Sequence, residues 1–334
     1  MDTDSGSATD RIARTRAYRG GELVAENYPV AKVSDYLADR DTVVWVDLCA
    51  PDTLDLKVVA EELGLHELAV EDAVERSQRP KLDHYSTHDF LSMYAVWLDR
   101  DSGQLETSEL AAFITHRALV TVRKDERFDV QKVVDRWDSS GDLSRHQVGF
   151  LLYGLIDFVI DGHFQTVQDL DEEIEALEDL LFGDQPRDTD VQRRSFELRK
   201  SLVRLRRVVL PMREVVNTLM RRDVSVVAQE MIPYFQDVYD HVLRATEWTE
   251  SLRDLVTTIL ETNITVQGNR LAVISKQVTS WAAIIAVPTA ITGFYGQNIP
   301  YPGFGKVHGF IVSSALIVVL SVGLYMIFRR KGWL

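Results

Sequence analysis

Ser275, Thr279, Ala282, Ala286, Thr289 and Gly293 recur at spacings of three and four, which puts them on roughly one face of a helix. Small side chains let helices approach closely, and hydroxyls with nearby carbonyls can line a wet path for an ion. Spacing alone supports plain helix packing equally well. Just beyond this face stand Gly296, Gln297 and Asn298. A ring of Asn298 carboxamide oxygens, one from each of several copies, can accept hydrogen bonds from the water shell of a divalent ion without gripping it as carboxylates do. Mg2+ dehydrates reluctantly, so recognition of the hydrated ion avoids a large penalty. In isolation Asn298 reads as well as a turn residue at a helix end. Gly296 permits a turn or a close backbone approach, and Tyr295 suits a membrane interface. Val278 and Ala286 are candidates for narrow apolar constrictions that gate by excluding water, with Thr289 and Gly293 nearer the outer mouth. A change of helical phase exchanges Thr289 for Thr292 or Ala290.

Other chemistry is thin. Asp169, Asp171, Glu172, Glu173, Glu175, Glu178 and Asp179 can draw cations electrostatically, and they read equally as a solvated helix face. His84 and His88 have metal-ligand spacing for a helix but sit beside strand sequence without a third ligand, which favours packing or surface roles. There is no Gly-rich phosphate loop, no His-Glu-x-x-His and no persuasive nucleophile-base arrangement, so an enzyme is not expected. Without a nucleotide motif, ion movement is expected to be passive.

The elements that position these residues begin with two apolar spans, Val278 to Phe294 and Val307 to Phe328. At 1.5 Å per residue they reach roughly 26 and 33 Å, about one hydrocarbon core each. A short segment, residues 295–306, joins them into a membrane hairpin. Arg329, Arg330 and Lys331, with Arg270 and Lys276, outnumber Lys306 of the loop, which places both termini in the cytoplasm and the loop outside. The first twenty residues carry four arginines and no apolar core, so no secretory signal is read there. Two spans are too few to enclose a channel, so a pore requires several copies around a symmetry axis.

The 37 basic and 51 acidic residues give a formal charge of −14, which argues against nucleic-acid binding. The single cysteine, Cys49, excludes an intramolecular disulfide and a cysteine-based metal cluster. Residues 1–14 read as a frayed start. Strands are expected at Thr42 to Leu48, Asp89 to Leu98, Leu110 to Ile114 and Ala118 to Val122, with a helix from about Leu54 to Leu63; the last two strands form a tight hairpin. A mixed α/β domain therefore occupies residues 15–150. Helical periodicity then gives an antiparallel hairpin over residues 151–233, with Gly183 to Pro186 as its turn and Pro211 as a kink or a break. Between Pro233 and Pro288 no proline intervenes, so one helix of about 90 Å is expected over residues 234–294, leading into the membrane unless Gly268 interrupts it. Residues 307–328 form the second span and 329–334 a basic cytoplasmic tail.

The Tyr-Gly-x-Asn run at Tyr295 to Asn298, a short loop, a second span and a basic tail ending Trp333-Leu334 together resemble the CorA family of divalent-cation transporters. Further segments extend the resemblance over nearly the whole chain: Gln78-Arg79-Pro80-Lys81, Tyr153-Gly154-Leu155-Ile156-Asp157, Pro211-Met212-Arg213-Glu214-Val215, and Tyr234 through His241.

That resemblance implies a homopentamer in the cell's plasma membrane. Cytoplasmic α/β domains form a funnel, long stalk helices continue into five pore-lining first spans, and second spans surround them. Gly296 and Asn298 match the family motif. Gln297 departs from the usual methionine, and the loop lacks the acids often present there. Asp237 matches a family position that forms an inter-subunit divalent-ion sensor with an acid of the neighbouring N-terminal domain; Asp89 and Asp83 are the candidate partners. The implied function is Mg2+ influx, inhibited by intracellular cation that screens acid-acid repulsion and holds the pore closed. Co2+ and Ni2+ are permeant relatives, and Mg2+ is also a regulatory ligand. Oxygen ligands in the proposed pore favour a hard or hydrated ion, with Zn2+ transport as the alternative and His308 near the outer mouth. A non-conducting membrane-anchored sensor or scaffold is the reading from a different class.

Overall fold

The computed structural model describes residues 13–75, 78–100, 102–140, 144–182, 188–221, 226–297, 300 and 303–334. The chain divides into two compact units, Met1–Ile259 and Leu260–Leu334.

In the first unit, β1 (Ala13–Arg19), β2 (Glu22–Glu26), β3 (Thr42–Cys49), β4 (Lys81–His84), β5 (Asp89–Asp99), β6 (Gln104–Ile114) and β7 (Ala118–Arg123) form a sheet in the order β2-β1-β3-β7-β6-β5-β4. Only β3 and β7 pair in parallel; the other neighbours are antiparallel. The central strands are apolar on both sides, so helices must cover both faces. Alternation sorts the side chains. Trp45, Leu91, Met93, Leu110, Ala112 and Leu119 enter one core, whereas Val44, Val46, Phe90, Phe113, Val120 and Val122 enter the other.

The second of these cores is closed by α1 (Val33–Leu37), α2 (Thr53–Leu63) and α3 (Glu67–Val74) through Val33, Leu56, Val59, Ala69 and Ala73. Reciprocal bonds of Asp52 and Asp55 cap the start of α2, and Gly64 in the left-handed region ends it. The first core is closed by α4 (Val130–Ser139), α5 (Gln147–Phe182), α6 (Asp188–Leu219) and the beginning of α7 (Ile232–Tyr295). Gly154 lies against Trp137, where a Cβ would come 2.5 Å from the indole nitrogen. That nitrogen donates to the Leu151 carbonyl.

The mixed α/β architecture agrees with the expectation, and four of its strands were anticipated. Three details are corrected. Ala13 and Arg14 are not frayed: they pair with Leu48 and Asp47, and Arg14 reaches Glu26 and Gln131. The sheet and the helices after it do not separate near residue 150, because Leu152, Val159, Met212, Val216, Phe235 and Val238 share one core with the strands. The third expected strand is longer than its apolar run, since β6 begins at Gln104 and pairs with β5 over eleven residues through the turn at Gly103. Pro211 sits inside α6 without ending it, and the turn expected at residues 183–186 lies outside the described residues.

α7 is one helix of 64 residues that contributes to both units, and Gly268 does not interrupt it. Pro233 stands in its first turn, where no intrahelical donor is lost. The second unit contains its C-terminal part and α8 (Val307–Arg330). Both helices are long and apolar enough to cross a membrane.

Candidate functional site

In the second unit, Trp281 of α7 and Tyr325 of α8 approach with ring centroids 6.5 Å apart. Gly303 and Gly309 meet backbone to backbone, so close that a Cβ on either would crowd the other. Gly303 also has φ of +94°, which a side chain would resist. This close approach fixes the return of the chain into α8. Phe328 and Trp333 stack at 5.6 Å with Lys331 over the indole ring, so the basic tail folds back on the helix end.

Ser275, Thr279, Ala282, Ala286, Thr289 and Gly293 are all exposed in the protomer. They share a face on the helix, with Val278 about 60° to one side of it by helical geometry. Thr289 Oγ donates back to the Ile285 carbonyl at 3.0 Å, and Thr292 Oγ to Pro288 at 2.9 Å, which returns hydroxyl donors to the backbone around the proline. At the helix end the Gly296 amide donates to the Thr292 carbonyl at 2.9 Å, and a Cβ there would lie 3.0 Å from that oxygen. Gln297 follows, exposed, its amide bonded to Phe294 at 3.3 Å. Asn298 lies outside the described residues.

The first unit holds a second constellation that sequence reading did not assemble. Asp157 and Asp161, one turn apart on α5, meet His241 of α7, and a ligand atom from each lies within 4.8 Å of the others. Arg136 of α4 donates to Asp157 at 2.6 Å and to Asp161 at 2.7 Å. His241 spans the gap to α7's own Asp237, its two nitrogens each 4.0 Å from an oxygen of Asp161 or Asp237. Burial, reinforced by repulsion from Asp161 and only partly offset by Arg136, pushes the Asp157 carboxyl up to about 6. Tyr153, partly buried, is pushed up to about 12 by that burial and by the charge of Asp157. Two carboxylates and an imidazole form a donor set for a divalent ion, with Asp237 in reach and largely exposed. Arg136 already supplies positive charge there, so an ion bound at this group competes with the guanidinium. The signal for this group was present in the sequence as the i, i+4 pair of Asp157 and Asp161. Its partner sits eighty residues further on, which only the fold connects.

The two candidate partners of Asp237 differ. Asp89 is buried, with one oxygen 2.6 Å from His84 Nδ1, so it is committed within its own sheet. Asp83 is partly exposed and pairs with Lys81 at 2.7 Å. His88 is buried and stacked on Tyr85, a packing role. In the acidic run of α5, Asp169 and Glu172 meet Arg100, and Glu173 meets Arg194.

A family model described as CorA-like Mg2+ transporter protein matches residues 40–330. The cobalt/magnesium transport protein CorA of Thermotoga maritima is 29% identical over 100% of this chain and 99% of its own. The zinc transport protein ZntB of Yersinia pseudotuberculosis is 24% identical over 77% of this chain and 78% of its own. The solved complete CorA magnesium transporter of Methanocaldococcus jannaschii superposes with a TM-score of 0.77 at 23% identity, covering 97% of this chain and 99% of that one. The apolar helix pair, the mixed sheet and the match over most of the sequence agree: the chain belongs to the CorA-like family of divalent-cation transporters, proteins of the membrane.

Proposed function

We propose that the chain forms a homopentamer in the plasma membrane, with both termini cytoplasmic, and conducts Mg2+ passively inward. The observation that carries this reading is the unpacked face of α7. Six small or hydroxyl-bearing residues lie exposed along an apolar helix that is otherwise suited to lipid. In a five-fold ring that face, Ala282 included, lines the path, Val278 and Ala286 narrow it, Thr289 and Gly293 pass the hydrated ion nearer the outer mouth, and Gly296, Gln297 and Asn298 form the outer ring. Oxygen and amide groups there suit a hydrated hard cation, with Co2+ and Ni2+ as further substrates.

Intracellular cation closes the pore in this reading. Asp237, next to the Asp157, Asp161 and His241 group, is the regulatory residue; Asp83 is better exposed than Asp89 to meet it from a neighbouring copy. Ion bound there neutralises carboxylates that otherwise repel, and its loss loosens the assembly.

The test is cation flux into liposomes bearing purified wild type or Asn298→Ala. Mg2+ entry down a sustained inward gradient, lowered or made less selective by the substitution, is expected. No divalent flux from wild type would sink the reading in favour of a non-conducting scaffold. The zinc-transporting relative supports Zn2+ as the second substrate assignment. Zn2+ flux that rises with a proton gradient, with negligible Mg2+ flux, would establish it.

A further inference from the structure

Two adjoining clefts of the first unit meet at the start of α5. The first, about 310 Å³, is lined by His116 and Arg117 of the β6–β7 turn and by Arg145 and His146 just before α5, with Val226 and Ala228 completing the wall. No carboxylate lines it among the described residues, in a chain of net charge −14. Arg117 is held in place: its Nη1 donates to the Leu37 carbonyl at 2.5 Å and the Asp39 carbonyl at 2.9 Å, and it has no carboxylate partner among the described residues. Elsewhere in this unit guanidiniums are matched to acids, Arg16 with Asp138, Arg123 with Asp47 and Arg136 with Asp157. Arg145 and His116 are exposed and likewise lack an acidic partner among the described residues. The remaining N–H groups of two guanidiniums, beside two imidazoles, make a donor set suited to phosphate oxygens.

The second cleft, about 240 Å³, shares Arg145 and Gln147 with the first. Its wall is of another kind, because Tyr18, Val43, Phe150 and Leu151 make it aromatic and apolar. Arg19 there already pairs with Asp39 at 2.8 Å, and Asp41 presents a carboxylate that accepts from a sugar hydroxyl and repels a phosphate. At the shared wall Gln147 has φ of +56°, a conformation that a side chain resists and the surrounding structure must enforce.

We infer that the paired clefts bind a nucleotide, with its phosphates in the first and its base and sugar in the second. A basic, acid-free compartment beside an aromatic and apolar one matches the two halves of such a ligand, and Arg145 stands where they join. Joined, the clefts fall within the range of small-molecule sites, about 300–1,000 Å³. The claim is independent of the transport reading, since no residue of α7 or α8 lines either cleft.

The test is equilibrium dialysis of the purified full-length protein in detergent at fixed free Mg2+, with ATP, tripolyphosphate and adenosine as probes. One ATP per chain is expected, with tripolyphosphate roughly tenfold weaker and adenosine weaker still. His116→Ala with Arg145→Ala, both at exposed positions that folding does not need, should weaken ATP roughly tenfold or more. Lys200→Ala with Arg204→Ala, which removes exposed cations of α6, should leave ATP binding unchanged. Tripolyphosphate that binds as tightly as ATP overturns the assignment of the second cleft to the base. ATP binding that survives the His116 and Arg145 substitutions, or that falls equally with the α6 pair, overturns the site. No binding of ATP or tripolyphosphate overturns the proposal outright. None of these results depends on ion flux, so the transport reading stands or falls separately.

Discussion

The two units treat their apolar residues in opposite ways. In the first, Trp45, Phe90, Phe113, Leu91 and Leu119 are fully enclosed between the sheet and its covering helices. In the second, Val278, Ile285, Phe310, Val318 and Val319 remain more than half exposed, on helices apolar enough to cross a membrane. The first unit thus completes its own core and derives its stability from internal burial. The second depends on lipid and, in the proposed assembly, on other copies. A residue's hydrophobicity means packing in one unit and environment in the other.

The largest effect expected from this contrast is Phe113→Ala, which empties a site enclosed on all sides. It should cost about 3–5 kcal/mol in unfolding of the purified full-length protein. Phe310→Ala removes the same ring from an exposed position and should leave the unfolding midpoint in detergent nearly unchanged. Equal losses would break the contrast. Next in size, Gly154→Ala must push Trp137 off its bond to Leu151 and should cost roughly 1–3 kcal/mol in the same measurement. A neutral result would mean the indole has room the geometry does not show.

A smaller, pH-dependent effect is expected at Asp157, whose carboxyl is raised to about 6 from its ordinary 3.8. Between pH 4 and 6 the unfolded chain has lost this proton while the folded chain keeps it. Stability from this group therefore falls as pH rises through that window, and the penalty is complete above about pH 6. Asp157→Asn removes the slope, so its thermal midpoint should gain on wild type as pH rises from 4.5 to 7. Added Mg2+ at pH 7 should raise the wild-type midpoint more than the variant's, because an ion at the group favours the charged carboxylate. Parallel pH profiles would mean that Arg136 alone satisfies Asp157.

The sequence made the central strands, the long helices and the two membrane spans legible, because each has a sustained hydrophobic period. It hid β1, β2 and β4. β2 is an edge strand of five residues with Leu23 and Val24 exposed, and the four residues of β4 are too few to show alternation. The small-residue face was readable from local spacing within one helix. The Asp157, Asp161 and His241 group was not, since its members come together only when α5 and α7 pack on the same side of the sheet. Asp89 illustrates the converse: its type and place in the chain suggested an outward role, and the fold turns it toward His84.

The central claim is that the exposed small-residue face of α7 lines the ion path. It is tested most directly by single cysteines in a Cys49→Ala background, reconstituted in liposomes and challenged with a charged, membrane-impermeant thiol reagent during Mg2+ flux. Ala282→Cys and Ala286→Cys should be blocked, while Ile284→Cys, about 160–180° away around the helix by its geometry, should conduct unaffected. Block at Ile284→Cys with no effect at Ala282→Cys and Ala286→Cys would contradict the claim and put the path on the opposite side of the helix.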